Sequence, residues 1–584
     1  MTRSVYKVLP AAALAAMVAW PALGDDNIVF GGFIRQEIAP TLTGDKNPNN
    51  TGNNPFNGKP QNEPWLYGPP NVIGTRNIAN SDSVINWMAT RVEFDTQAKL
   101  NENLKAYVKL RAIYEPELGD QPVKVNMFKT KYYGNNATPL EFDTNNTMVD
   151  LPAAYLDFAQ GPVWLRAGNQ QIAWGESLFF RALDLPNGLD LRRHLIFEPV
   201  AEEYSDKRVP MPGLRGSYRF SDAVELEGFG QMFNPSILPT TNSPYNLIPS
   251  QFTVYDKLGA ARSTFNGGAR LQAHIGDLAL QFLYVNRHNP DGVFRWTASG
   301  VNKDLPGLTG TGAILAQTPF SVDQTGVCSA QEWFKYAGDV RLNGITGVGS
   351  AVTGPFAAAQ LLGAFAPTTY SAAESELNTF FHLAGGCMRG FLNRSYPVEQ
   401  TFGSGASYVI DDEPGSLLDQ LIVRAELTYT PRKTFTNPSL GVPITKGEVV
   451  GTLNFEKWQR FSQDFPATYM VLQYLAKSQS DLFGRYLGGF GGSQTAVGKG
   501  IDSFHAMAFA VQQPFPNLIW RADLSILADM QGGVFIQPNL RWKPDADWQV
   551  DGYMNLFKSA NNNKNIIDTI NWADEVGIRF TRQF

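Results

Sequence analysis

Residues 574–584 alternate with a period of two. Val576, Ile578, Phe580 and Phe584 fall on one side, and Gly577, Arg579, Thr581 and Gln583 on the other. Successive side chains of a strand point to opposite faces, so this is a strand with one apolar and one polar face. The pattern recurs along the chain. Leu104, Ala106, Val108 and Leu110 alternate with Lys105, Tyr107, Lys109 and Arg111. Leu214, Gly216, Tyr218 and Phe220 alternate with Arg215, Ser217 and Arg219; a Ser221-Asp222 turn then leads into Val224, Leu226 and Gly228. Ala269, Leu271, Ala273 and Ile275 run through Gly276-Asp277 into Leu278, Leu280, Phe282 and Tyr284. Such tight turns join neighbouring antiparallel strands. Taken alone, an edge strand of a soluble β-protein would end in the same way as residues 574–584.

The other end of the chain separates the alternatives. Residues 1–24 read as a secretory leader. Arg3 and Lys7 give a positive start, residues 8–20 an apolar stretch, and Ala22-Leu23-Gly24 a small-x-small cleavage site before Asp25. That stretch is short for a span, and no later run reaches the roughly 20 apolar residues a spanning helix needs. A strand closing on an aromatic resembles the assembly signal of Gram-negative outer-membrane barrels, carried here by Phe580 and Phe584, and implies the barrel-assembly machinery as a partner. The expected fold is all-β: a transmembrane antiparallel β-barrel of about 16 strands, within about 14–18, filling residues 25–584. The expected place is the outer membrane of a Gram-negative bacterium, in contact with its lipid, after cleavage near Gly24.

Composition agrees with that fold. A mean hydropathy of −0.21 is too polar for a helical membrane protein, whereas lumen-facing side chains dilute the apolar ones in a barrel. Aromatics at 12% suffice for interfacial girdles. Removing Arg3 and Lys7 from 48 basic residues leaves 46 against 54 acidic ones, a net charge near −8 that argues against nucleic acid as a partner.

About 17 candidate strands can be traced, an odd number for a barrel with both termini on one side. The parity breaks between Glu448 and Lys477, where one segment is expected to be helical or to fold into the lumen. The long connections (40–84, 117–148, 172–210, 234–265, 289–417 and 478–502) share one parity and are expected to be extracellular. The largest, 289–417, carries helical signals: an Ala/Leu-rich stretch at 356–365, and a capping box at Ser371-Ala372-Ala373-Glu374 ahead of Leu377, Phe380, Phe381 and Leu383. These apolar helices either pack as a lid in the barrel mouth or receive a hydrophobic ligand. Cys328 and Cys387 lie in this insertion, in a chain exported to an oxidising compartment. A disulfide between them would contribute about 4 kcal/mol by loop entropy; the alternative is two buried thiols.

Motifs for covalent chemistry fail. Residues 493–499 resemble a phosphate loop superficially, but Ser493 replaces its first Gly and Gly500 its Ser or Thr. No G-x-S-x-G elbow or H-E-x-x-H motif occurs, and five scattered histidines lack ligand spacing. No catalytic residue, metal or cofactor is expected. The charges on the polar strand faces are expected in the lumen, among them Arg91, Arg111, Arg166, Arg215, Arg219 and Arg424, with Glu93, Glu227, Arg270 and Glu426. They either pair with one another or line an ion path.

Three further blocks are distinctive. The first runs from Arg166 through Asn169-Gln170-Gln171-Ile172-Ala173-Trp174-Gly175-Glu176-Ser177 to Leu185-Pro186-Asn187-Gly188, with Val209-Pro210-Met211-Pro212 and Leu226-Glu227-Gly228-Phe229. The second is Phe455-Glu456-Lys457-Trp458-Gln459-Arg460-Phe461 with Asp464-Phe465-Pro466, and the third Ser480-Asp481-Leu482-Phe483-Gly484-Arg485. Together they resemble a family of proteobacterial outer-membrane barrel proteins that carry a domain of unknown function. Genes of that family often lie near RND-type exporters and steroid, terpene or hydrocarbon catabolism genes. The resemblance therefore implies passage of hydrophobic molecules or lipids, with a hydrophobic ligand and a periplasmic or RND-type export partner. Physically, Trp174, Gly175 and Glu176 leave a strand for a Pro-rich loop, where Gly175 permits a sharp turn. Glu176 needs cationic partners there, for which Arg181, Arg192, Arg193, Lys207 and Arg208 are the candidates. The segment is expected to form a gate or constriction, or else a salt-bridge cluster that stiffens the loop. Three functions remain: a non-enzymatic channel or transporter for hydrophobic molecules, a porin for small polar or aromatic-acid solutes, and a receptor or structural barrel with a closed lumen.

Overall fold

A computed structural model describes residues 27–43, 47, 49, 61–66, 72–78, 85–116, 137–144, 146–192, 207–239, 245–259, 264–492 and 496–584. The expected leader and Arg193 lie outside the described residues. Eighteen antiparallel strands form one closed ring. In chain order they are β1 (Ile28–Pro40), β2 (Ile85–Lys99), β3 (Leu104–Tyr114), β4 (Thr147–Gln160), β5 (Val163–Gln170) and β6 (Met211–Ser221). Next come β7 (Val224–Met232), β8 (Phe265–Ile275), β9 (Leu278–His288), β10 (Val398–Ile410), β11 (Leu421–Phe435) and β12 (Ile444–Gln459). The last six are β13 (Thr468–Lys477), β14 (Phe504–Pro514), β15 (Trp520–Asp529), β16 (Gly533–Trp542), β17 (Trp548–Ser559) and β18 (Glu575–Gln583). Each strand pairs with its neighbours in sequence. β1 closes the ring on β18, with Phe33 opposite Gln583 and Ile38 opposite Ile578.

The strand number is therefore 18 rather than about 16, and the even count is reached by adding a strand. Both segments of the 448–477 region belong to the wall, as β12 and β13. The overlooked strand is β10, so the large insertion ends at residue 397 and not at 417. β10 hides because Gly403, Ser404, Gly405 and Ser407 carry little hydropathic contrast. The glycines answer to the lumen: a Cβ on Gly403 would sit 2.7 Å from Leu183 Cδ2, and one on Gly405 2.9 Å from Leu183 Cδ1.

The ring is apolar outside and polar inside. On β18, Val576, Ile578 and Phe580 are exposed while Gly577, Arg579 and Thr581 are buried. Trp458, Phe461, Trp520, Trp542 and Trp548 are exposed near the short turns of one end, an aromatic girdle at that rim. A soluble monomer rarely exposes apolar patches beyond a few hundred Å². A belt running around a whole ring suits a lipid surround.

The opposite end carries the long connections. Residues 289–397 build a cap there. Strands Val293–Trp296, Phe320–Val327 and Met388–Ser395 form a small sheet with Phe252–Asp256 of another connection. Against it lie helices α1 (Ala330–Asp339), α2 (Gly344–Ala351) and α3 (Tyr370–Leu383), with Trp296 stacked on Trp333 at 5.9 Å. Cys328 and Cys387 are joined by a disulfide. Two local expectations shift. Residues 356–365 are helical only as part of a 3-10 helix, Gly354–Leu362. α3 is capped by Thr369, whose Oγ1 accepts from Ala372 N at 3.2 Å, two residues ahead of the expected box. Leu377 and Phe381 are buried within the cap core, as helices packed into a lid require.

Candidate functional site

After Gln170 the chain leaves the wall, and residues 171–192 cross the lumen. Trp174 is buried, edge-on to Phe229 with centroids 5.0 Å apart, and its Nε1 donates to Glu227 Oε1 at 2.6 Å. Arg270 donates to Glu227 Oε2 at 2.6 Å and to Trp174 O at 3.3 Å. These partners stand on β7 and β8, near the point of departure. The far side of the crossing is tied to β11, β12 and β13. Glu426 Oε1 accepts from the backbone N–H of Glu176 (2.6 Å) and Ser177 (3.0 Å), and Oε2 accepts from Leu183 N at 3.1 Å. Gln473 Oε1 accepts from Phe179 N (2.9 Å) and Phe180 N (3.1 Å), while its Nε2 donates to Phe180 O at 2.7 Å. Asn454 Nδ2 donates to Ser177 Oγ at 2.8 Å. Buried irregular backbone must find partners for its N–H and C=O groups, and here wall side chains supply them.

The expected gate residues come together only in part. Gly175 makes no left-handed turn; it allows a close approach, since a Cβ there would lie 3.1 Å from Asp184 N. Glu176 pairs with Arg424 of β11 at 3.2 Å and not with the loop arginines. Arg181 and Arg208 instead hold Asp184, at 3.0 and 2.7 Å. Arg192 is fully buried between Glu141 (2.7 Å) and Asp190 (3.0 Å). Sequence reasoning missed the anchoring roles of Glu426, Asn454 and Gln473. Alternation places them inside the ring, but nothing local marks a partner between 243 and 294 positions away.

The lumen charges pair within the wall. Arg111 meets Asp150 at 2.6 Å, Arg166 meets Asp157 at 2.7 Å, and Arg91 meets Glu93. Arg215 and Arg270 share Glu227, and Arg424 joins Glu456 to Glu176. A charge drawn into the ring is costly unless paired, so these couples fill the lumen with little unbalanced field. Arg219 differs: it is 63% exposed, close to the short turns, and 3.8 Å from Glu225.

Above the crossing segment lies a cavity of about 530 Å³. Its floor includes Phe179, Phe180 and Leu185, and its roof Trp333 and Ala337 of α1. Its side is the inner wall, with Leu475, Leu527 and Phe535, joined by Ile566, Ile567 and Ile570 of the last connection. Here the inward face of the barrel is apolar: Leu475, Phe504, Ala506, Phe535 and Phe557 form one buried cluster with Phe180. The sequence carries the signal as a loss of alternation, for Val534-Phe535-Ile536 is apolar on both faces.

Barrels of solved structure cover most of this chain at low similarity. Acinetobacter baumannii OccAB4 is 8% identical over 96% of this chain and 97% of its own, with a TM-score of 0.41. Pseudomonas aeruginosa OccK2 (OpdF), in complex with glucuronate, is 8% identical over 96% and 98%, with a TM-score of 0.39. Salmonella typhi OmpF, in complex with daunomycin, is 9% identical over 96% and 98%, with a TM-score of 0.35. No curated protein matches the chain. One family model does, from residue 25 to residue 584, and the chain belongs to the family that it describes, the "Protein of unknown function (DUF1302)" family.

Proposed function

We propose that this protein is an outer-membrane channel that takes a hydrophobic small molecule into the cavity between cap and crossing segment and passes it on without covalent chemistry. The observation that carries this reading is an apolar pocket inside a ring whose interior is otherwise polar. Ligand sites of about 300–1,000 Å³ with mostly apolar linings and a few convergent polar groups are the usual form of small-molecule pockets. The crossing segment is the gate, entered through Trp174, Gly175 and Glu176, with the ion pairs of Arg181 and Arg192 stiffening its return. The cap end faces outward and the short turns face the periplasm, where an RND-type or other export partner would engage. Cleavage near Gly24 and assembly through Phe580 and Phe584 belong to the same reading.

Conductance of the purified protein in planar bilayers, with binding of the neutral probe Nile red, tests this. Little ion current together with saturable Nile red binding is expected. The open Arg219 favours a second reading, a porin for small polar or aromatic-acid solutes. Steady ohmic openings without probe binding would establish it instead. Silence in both measurements would leave a closed receptor.

A further inference from the structure

The cavity's ionisable lining is unbalanced. Seven Lys and Arg side chains border it against four Asp and Glu. Most of the cations have local partners: Lys433 meets Glu448 at 2.6 Å, Arg287 meets Glu399 at 2.9 Å, and Arg485 meets Asp481 at 2.7 Å. Lys477 and Arg341 meet no carboxylate within 4 Å among the described residues. Lys477 ends β13 on the inward face, two positions after Leu475, and its Nζ donates to the backbone oxygen of Asp481 at 2.7 Å. Arg341, 2% exposed, donates only to backbone oxygens, of Gly338 (3.1 Å), Asp339 (3.4 Å) and Asn565 (2.6 Å). Its Nε has no partner, and its backbone sits at φ +69°, a conformation costly for a long side chain. Burial, and then the neighbouring Arg485, pull its guanidinium down to about 9. Asp481, Asp568 and Asp339 oppose that shift without meeting the guanidinium within 4 Å.

An enclosed, largely apolar space with surplus cations fits a ligand with an apolar body and one anionic group, because a buried ammonium gains most from a desolvated counter-charge. Glu448, Glu399 and Asp291 also border the cavity and disfavour a doubly charged head such as a phosphate. We infer that the cavity selects an amphipathic monocarboxylate, its carboxylate on Lys477 with Arg341 adding positive potential, and its apolar body against Phe179, Phe180, Phe535 and Ile567. This rests on the hydrophobic-molecule reading above and narrows it to one chemical class. The neutral ester of the same molecule is a weak ligand, and the gate sees the acid as its anion.

The test compares cis-parinaric acid with its methyl ester by fluorescence on the full-length protein in detergent, at pH 8. The acid is expected to bind at least about tenfold more tightly than the ester, the size of one charge-assisted hydrogen bond. Lys477→Met is expected to bring that ratio close to one while leaving ester binding unchanged, and Lys477→Arg to preserve it. Heat-modifiable migration verifies that both variants are folded barrels. Equal binding of acid and ester, or equal weakening of both by Lys477→Met, overturns the carboxylate assignment but leaves the hydrophobic reading standing. Failure of both probes and of Nile red to bind a folded barrel overturns both.

Discussion

One carboxylate, Glu426, receives three backbone N–H groups of the crossing segment, and each hydrogen bond to an ionised acceptor contributes about 1.5–3 kcal/mol. Glu426→Gln is nearly isosteric but turns one of the two acceptors into a donor facing Leu183 N–H. The expected outcome is a crossing segment loosened by on the order of 2 kcal/mol, seen as frequent brief openings in bilayers where the parent is quiet. Unchanged noise would mean that Gln473 and Asn454 hold the segment without it. Alternation put Glu426 on the lumen side at the sequence level. Its partners, 243 and 250 positions earlier, could be found only once the ring had brought β11 opposite the departure from β5. The same limit explains Glu176, whose partner Arg424 lies across the ring while Arg181, Arg192 and Arg208 are engaged elsewhere.

At the scale of elements, the cap is where acidity acts. Glu376 of α3 accepts from Phe365 N at 2.8 Å through Oε1, while Oε2 is buried without a partner. Burial raises its carboxyl above the ordinary value, against a smaller lowering by that hydrogen bond. A carboxyl raised in the folded cap binds its proton more tightly there than in the unfolded chain. It therefore adds stability below the ordinary carboxylate range, and that contribution is lost as pH rises through the folded value. The cap is expected to resist proteolysis better at pH 4 than at pH 7, and Glu376→Gln to abolish that difference by resembling the protonated form. An unchanged pH dependence in the variant would point to another group. Helices in this insertion were legible from composition, but their exact caps were not: Thr369 outcompetes Ser371 because the chain is already extended there, as an N-cap residue must be. β10 was illegible for a different reason. Gly403 and Gly405 are chosen by the crossing segment that packs on them, so strand propensity gave way to space for Leu183.

For the whole molecule, the barrel was the most legible level, because lipid outside and a mostly polar interior impose period-two alternation on most of the strands. What sequence could not give was the interior. A lumen crossed by its own connection and roofed by another is set by contacts between segments hundreds of residues apart. The closing strand gives a direct expectation. Removing Phe584, or replacing it with Ser, is expected to lower the amount of heat-modifiable barrel in outer-membrane fractions severalfold while leaving urea-refolded protein intact in detergent. Equal depletion in both preparations would mean that the residue supports the fold itself, through its place against Gly32, and not delivery to the membrane.

The pairing of β1 with β18 turns the wall from a sheet into a ring. Until that pair forms, the wall is an open, curling sheet with a slot along one side. The crossing segment can thus be laid across a half-formed trough from the side, and it need never be threaded through a finished tube. The connection that carries it begins at the end of β5 and finishes at the start of β6, two adjacent strands. A movement of the span would be a tethered swing, bounded by the length of chain between Gln170 and Met211.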